Sequence, residues 1–167
     1  MHRSVRVGGL SKSELLARLE QAAVQINALG RAMFANPRFT TTAASRTVET
    51  TECSVAGLGF AKGATFAQLV AAARTRGLSP CELELAPHFR LQFNDQQEGF
   101  VGQLPSQNEA PPGSITVASL PISEDDEDPK GFYLRRIDGV LWLRGYRSWA
   151  GHIWSSRDVL LFAGHAA

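Results

Sequence analysis

Apolar residues in the first third of the chain follow the spacing of an amphipathic helix. Ser11 and Glu14 form a capping-box pattern at its start, and Pro37 disfavours helical backbone at Asn36. The pattern predicts one long helix over residues 11–35, preceded by an N-terminal arm over residues 1–10. The stripe advances in steps of four and three positions, as one helix face requires: Leu15, Leu19, Ala22, Ile26, Leu29 and Met33.

The middle of the chain predicts a strand and two shorter helices. Residues 47–55 are rich in threonine and valine, which favours a strand. Thr65 and Gln68 repeat the capping-box spacing and begin a second helix. A short third helix begins at residues 79–82, which supply a cap residue, a proline and a glutamate, and Pro87 should end it.

The last part of the chain predicts mainly β structure. Residues 89–93 alternate apolar and polar side chains, which indicates a strand, with a continued helical turn as the alternative. Residues 115–120 and 159–163 are short apolar strands. Between them, residues 132–137 and 140–146 flank Asp138-Gly139, the strongest short signal for a β-hairpin.

These elements predict an α+β fold. The long helix and one or two shorter helices should pack on a mostly antiparallel sheet that ends in the C-terminal hairpin. Residues 1–167 are long enough for one domain with a sizeable core. Residues 95–113 and 122–130 contain prolines, glycines and acidic side chains and predict long loops.

Composition and charge exclude several classes of protein. The chain is 44% hydrophobic with a formal net charge of +1, unlike a disordered polyelectrolyte or a histone-like protein. No apolar run approaches the length of a transmembrane helix, and we expect no membrane association. Residues 91–130 carry one lysine against eight acidic residues, so the acidic charge is concentrated there.

Cysteine usage favours a reducing compartment. The chain has two cysteines, Cys53 and Cys81, each among apolar neighbours. A secreted domain held together by disulfides would usually contain more. We therefore expect two free thiols and a cytoplasmic protein, although one disulfide is the alternative.

A glycine-rich segment over residues 57–63 precedes the second helix, where phosphate-binding loops occur. It matches neither the dinucleotide fingerprint nor the P-loop, because Lys62 replaces a glycine in the first and Gly63 follows the lysine in the second. A weak anion site at Lys62 and Thr65 is one interpretation, and a flexible connection is the other.

One face of the hairpin alternates aromatic and guanidinium groups. A two-residue turn pairs Tyr133 with Arg144, Leu134 with Leu143 and Arg135 with Trp142. Arginine and large aromatic residues occupy the centres of protein interfaces and also stack on single-stranded nucleic acid. The alternative is a self-contained cation–π ladder, or a surface covered by the rest of the domain. The candidate binding residues on this face are Tyr133, Arg135, Trp142, Arg144 and Tyr146.

Histidine and cysteine positions give little sign of catalysis. The histidines are not at zinc-ligand spacing, and we expect no metal and no cofactor. Cys81 lies near a predicted helix start and His88 follows seven positions later, so a cysteine nucleophile is conceivable. A structural thiol is the favoured interpretation.

Two segments resemble a known family. Residues 76–87 read Arg-Gly-Leu-Ser-Pro-Cys-Glu-Leu-Glu-Leu-Ala-Pro, and residues 131–147 read Gly-Phe-Tyr-Leu-Arg-Arg-Ile-Asp-Gly-Val-Leu-Trp-Leu-Arg-Gly-Tyr-Arg. With the chain from about residue 11 onward, they resemble a family of small bacterial proteins of uncharacterised function, whose members sometimes carry an automatic helicase label. The resemblance implies no catalytic residues. No Walker A lysine stands in register and 167 residues cannot hold two motor domains, so the helicase label has no support.

The sequence therefore favours a non-enzymatic bacterial accessory or interaction protein that acts through protein contacts. A small enzyme using Cys81 and His88 and a nucleic-acid binder using the hairpin face are the alternatives.

Overall fold

The computed structural model describes residues 1–99 and 109–164. Its helices are α1 (Lys12–Gln21), α2 (Ala28–Ala35), α3 (Phe66–Arg74) and α4 (Leu85–Gln92). Its strands are β1 (His2–Val7), β2 (Gln25–Ile26), β3 (Arg46–Ser54), β4 (Ala64–Thr65), β5 (Ile115–Val117), β6 (Gly131–Ile137), β7 (Val140–Tyr146), β8 (Ile153–Trp154) and β9 (Val159–Ala163).

Within these residues, seven strands form one sheet in the order β1-β3-β9-β5-β6-β7-β2. The neighbouring strands are antiparallel except for two parallel pairs, β5 with β9 and β2 with β7. Strands β4 and β8 form a separate antiparallel pair. The predicted α+β class with a mostly antiparallel sheet is confirmed.

The sheet has a core on each side. On the first face, α1, α2 and α4 pack on strand residues that include Phe132, Leu134 and Leu161. On the second face, α3 packs on Leu160 and Phe162. Successive strand residues point to opposite faces, so the sheet buries apolar side chains on both sides where β9 lies.

The N-terminal part of the chain differs from its prediction. The predicted arm contains β1, which pairs antiparallel with β3 at the edge of the sheet. The prediction of one helix over residues 11–35 is wrong: α1 ends at Gln21, and Ala23 adopts a left-handed φ of 56°. After this break, Gln25 and Ile26 form a short strand that pairs with β7 instead of continuing the helix. The apolar spacing continues through the break because residues on both sides of it enter the same core.

The third predicted helix is displaced along the chain. Cys81 forms an isolated β-bridge with Ser119, and α4 begins only at Leu85. Pro87 lies in the first turn of α4, where its missing N–H is not needed for an intrahelical hydrogen bond. Residues 89–92 continue α4, so the strand predicted at residues 89–93 is wrong and its helical alternative is correct.

The remaining elements follow local sequence signals. The capping boxes at Ser11 and Thr65 are present, and β3, β9 and the hairpin lie where they are predicted. Residues 122–130 contain no helix or strand, as expected of a loop. Part of the loop predicted over residues 95–113, residues 100–108, lies outside the described residues.

Candidate binding surface on the second face of the sheet

The hairpin of β6 and β7 has the predicted turn and register. Asp138 and Gly139 adopt φ values of 51° and 78°, as a type I′ turn requires. Arg144 lies opposite Tyr133, which in turn lies opposite Thr116 of β5. Thr116 pairs with Leu160 of β9, and paired residues share a face. The candidate residues therefore lie on the second face of the sheet, on the strands beside the part that α3 covers.

Arg144 links two aromatic rings of this surface. Its Nε donates a hydrogen bond of 2.8 Å to the Tyr133 hydroxyl, and its guanidinium carbon lies 4.9 Å from the centre of the Trp142 ring. Tyr133, Arg135, Trp142 and Arg144 are all half-buried. The cation–π ladder is thus present, and its outer side remains accessible. We call these four residues the Arg/aromatic surface.

The two arginines of this surface differ from neighbouring arginines in their ion pairing. Among the described residues, neither Arg135 nor Arg144 forms an ion pair, whereas Arg136 pairs with Glu98 and Arg147 with Glu127. The Arg135 Nε is buried and has no hydrogen-bond partner in the part of the chain that the structure describes. Two guanidinium groups without an ion pair in the described residues therefore lie beside two half-buried aromatic rings.

Tyr146 belongs to a different environment from the other candidate residues. Its ring packs on Trp154 of β8 at 5.7 Å and an angle of 89°, and burial raises the pKa of its hydroxyl. It joins the core beneath α3. Tyr146 therefore forms the boundary between the Arg/aromatic surface and a neighbouring cavity.

That cavity has a volume of about 310 Å³ and lies between the start of α3, the end of β7, β8 and the acidic loop of residues 122–130. Four aromatic residues line it: Phe66, Tyr146, Trp149 and Trp154. The cavity could not be predicted from the sequence, because its walls come from four separate segments. One local signal for an aromatic cluster was present in the sequence: Trp149 and Trp154 stand five positions apart after the hairpin.

The glycine-rich segment does not form a phosphate cradle. The amides of Gly57, Gly59 and Gly63 donate hydrogen bonds to the Ser54 hydroxyl and to the carbonyl oxygens of Ala56 and Phe60. Thr65 uses its hydroxyl to cap α3 through Gln68, and Lys62 is exposed. Because these amides are already occupied, the geometry lends no support to an anion site at Lys62 and Thr65.

Cys81 and His88 have separate structural roles. The Cys81 thiol is buried and donates to the Leu161 carbonyl oxygen at 3.4 Å, and burial raises its pKa to about 12. The His88 Nε2 accepts a hydrogen bond of 3.1 Å from the Gly8 amide. Within residues 1–99 and 109–164 no thiol–imidazole hydrogen bond is formed. A nucleophilic cysteine needs the opposite, a lowered pKa and access to substrate.

The described parts of the chain show neither a cluster of metal ligands nor a membrane-spanning helix. No group of three or more histidine, cysteine, aspartate or glutamate side chains there is arranged to hold a metal ion. No helix there combines the length and apolarity needed to cross a bilayer. Both cysteines are free thiols.

Comparison with known proteins found no matching family model, no similar curated protein and no similar solved structure. Function must therefore be inferred from the surface and the cavity themselves.

Proposed function

We propose that this chain is a non-enzymatic bacterial interaction protein that acts in the cytoplasm by binding another protein through the Arg/aromatic surface. The observation that carries the proposal is the pair Arg135 and Arg144, which lack acidic partners in the described residues and flank Trp142. Arginine and tryptophan are the residues that contribute most to binding at interface centres. The partner surface should therefore present acidic side chains around an apolar contact.

The neighbouring charges favour a protein partner over nucleic acid. Arg147 pairs with Glu127 at the end of β7, so the acidic loop adjoins the basic surface. A nucleic acid carries negative charge along its whole length and would be repelled there. A protein can match adjacent basic and acidic areas with its own. Nucleic-acid binding therefore becomes an outcome that the experiment must exclude.

The enzyme alternative has little chemical support. The Cys81 thiol is buried and its pKa is raised to about 12, and the His88 Nε2 is occupied by a backbone amide. The two free cysteines are compatible with a reducing compartment. Neither the Cys81 thiol nor the His88 imidazole supplies an activated nucleophile, so binding is the better supported function.

The proposal is tested by affinity capture from cells of the native host with a triple variant, Arg135→Ser, Trp142→Ser and Arg144→Ser. Each anchor contributes on the order of 2 kcal/mol, a factor of roughly 30 in affinity, so the triple variant should lose its partner. A matched control, Arg18→Ser with Arg31→Ser, removes two exposed arginines from α1 and α2 on the first face. The control should retain the partner.

Two further measurements make the capture decisive. The core residues Phe132, Leu134 and Leu143 are untouched, so the triple variant should still unfold cooperatively. Loss of the Arg144–Tyr133 hydrogen bond and the cation–π contact should cost about 1 kcal/mol. Capture that survives in the triple variant would overturn the proposal. Capture that disappears after nuclease treatment would replace the protein partner by nucleic acid.

A further inference from the structure

Aromatic rings from different elements pack against one another in the wall of the cavity beside the Arg/aromatic surface. The Tyr146 and Trp154 rings are nearly perpendicular, and Trp149 and Trp154 both pack against the ring of His152, each at 5.1 Å between ring centres. Trp149 is 52% exposed although it is a large apolar side chain. An exposed tryptophan at the edge of an apolar cavity is the arrangement of a ligand site rather than of a closed core.

The charges that line this cavity are predominantly negative. Glu124 and Asp126 contribute to its lining, and neither forms an ion pair within the described residues. Lys130 also contributes, but its ammonium group is buried and donates to the backbone oxygens of Ser123 and Asp125 at 2.9 and 2.5 Å. Lys130 therefore anchors the acidic loop, and the two carboxylates remain available to a ligand.

Two polar groups in the cavity lining are unsatisfied. The Ser119 hydroxyl and the Trp154 indole nitrogen are buried, and neither has a hydrogen-bond partner in the described part of the chain. The two residues are only 2% and 5% exposed. Buried polar groups are normally paired, but these two atoms have almost no accessible surface and lie within the wall of the cavity rather than in its open space.

We propose that this cavity binds an organic cation whose ammonium nitrogen carries methyl groups. The faces of aromatic rings attract cations, and methylated ammonium groups are the ligands that aromatic cages recognise. The carboxylates of Glu124 and Asp126 add attraction for positive charge. A methylated nitrogen is weakly hydrated and loses little on entering apolar walls, whereas a metal ion or a bare ammonium would lose its water. This cavity is a separate site from the Arg/aromatic surface, although Tyr146 lies between the two.

The decisive comparison uses choline and its neutral carbon isostere, 3,3-dimethylbutan-1-ol. The two molecules have the same shape and differ in the charge of one atom. Calorimetric titration should give choline an affinity at least about tenfold higher, since a desolvated cation–π contact contributes about 2 kcal/mol. Equal affinities would overturn the proposal and leave an ordinary apolar pocket. Absence of heat and of tryptophan fluorescence change at concentrations on the order of 10 mM would overturn it as well.

Variants locate the binding site. Trp149→Ala removes an exposed aromatic wall and should lower choline affinity about tenfold, since one cation–π contact is lost. Trp142→Ala, on the Arg/aromatic surface, is the matched control and should leave choline binding unchanged. If Trp142→Ala loses the protein partner but binds choline as the original chain does, the proposed protein interface and the proposed cation site are independent. If Trp149→Ala binds choline as the original chain does, the cavity is not the site.

A second pair of variants tests the charge. Glu124→Gln with Asp126→Asn keeps the shape of the rim and should weaken choline binding severalfold and reduce its salt dependence. Glu20→Gln with Asp138→Asn removes the same charge from α1 and the hairpin turn and should change neither. Equal effects of both double variants would show a general effect of net charge and contradict the assignment of Glu124 and Asp126.

The ammonium group could belong to a free small molecule or to a methylated lysine of a protein. Titration with N-acetyl-trimethyllysine methylamide, compared with its unmethylated form, separates these sources. Tighter binding than choline supports a methylated lysine, and weaker binding supports a free cation. Equal binding of the methylated and unmethylated forms would contradict recognition of the methyl groups.

Discussion

The side-chain amide of Asn27 pairs with the backbone of Gly145 as a neighbouring strand would. Asn27 Nδ2 donates to the Gly145 carbonyl oxygen at 2.9 Å, and Asn27 Oδ1 accepts from the Gly145 amide at 2.8 Å. The same Oδ1 accepts from the Gly30 amide and caps α2. This single side chain therefore ends β2, begins α2 and fixes both against β7.

Substitution of Gly145 should be severely destabilising. A Cβ there would lie 2.5 Å from the backbone carbon of Leu29 and 2.6 Å from the backbone nitrogen of Gly30. Because both obstacles are backbone atoms, Gly145→Ala should cost more than about 3 kcal/mol. Asn27→Asp keeps the acceptor but loses the donor to the Gly145 carbonyl, and should cost about 1–3 kcal/mol. Urea denaturation measures both, and a Gly145→Ala protein as stable as the original would contradict the close packing of α2 on β7.

Glu82 and Glu84 form a matched pair for the effect of burial. Both contact Arg46, but the side chain of Glu84 is 2% exposed and that of Glu82 is 69% exposed. Glu84 also accepts hydrogen bonds from the amide and the hydroxyl of Thr42. Removing a buried partner leaves the other groups unpaired, so Glu84→Ala should cost about 3 kcal/mol. Glu82→Ala should cost less than about 0.5 kcal/mol, and equal losses in denaturant midpoint would refute the distinction.

His88 should make stability depend on pH. Desolvation lowers its pKa, although Glu84 opposes the change, and Nε2 must stay unprotonated to accept from the Gly8 amide. Below about pH 6.5 the unfolded chain binds a proton that the folded chain does not. The free energy of unfolding should therefore be at its full value above this pH and fall as the pH drops toward the folded pKa, by at most about 1.4 kcal/mol per pH unit for one histidine.

His88→Gln is the control for this pH dependence. Glutamine retains an acceptor for Gly8 and does not titrate, so the slope of unfolding free energy against pH should decrease. His152, whose pKa is also lowered by burial, should supply a remaining slope of the same sign. An unchanged slope in His88→Gln would show that His88 does not contribute.

Thiol labelling tests the structural assignment of Cys81. With its pKa raised to about 12 by burial, Cys81 should react with a maleimide only after unfolding. Cys53 is half-buried and should react first in the folded protein. The Cys81→Ser variant identifies which thiol is labelled. Rapid labelling of Cys81 in the folded chain at neutral pH would return the cysteine enzyme to consideration.

Local signals in the sequence predicted local structure. The capping boxes at Ser11 and Thr65 and the Asp138–Gly139 turn are satisfied by atoms a few residues apart, so each one fixes its own element. The break before Asn27 depends on β7, more than a hundred residues away. An apolar stripe with helical spacing cannot reveal that distant strand.

The candidate site also has one part that local sequence predicted and one part that depends on the tertiary structure. Alternation along two adjacent strands was enough to predict the Arg/aromatic surface, including the pairing of Tyr133 with Arg144. The aromatic cavity needed the whole fold, because Phe66 of α3 and Trp154 of β8 meet only through the tertiary structure. Tyr146 was predicted on the open surface but lines the cavity, since the β4–β8 pair covers its end of the hairpin.

Site-specific photo-crosslinking most directly tests the claim that the Arg/aromatic surface binds a protein. Trp142 is replaced by p-benzoylphenylalanine in cells of the native host, and Arg18 on the first face is replaced in a matched control. Irradiation should give a discrete adduct from position 142 that protease destroys and nuclease does not, and none from position 18. Adding Arg135→Ser and Arg144→Ser should abolish the adduct. No adduct from position 142, or the same adduct from both positions, would contradict the proposed interface.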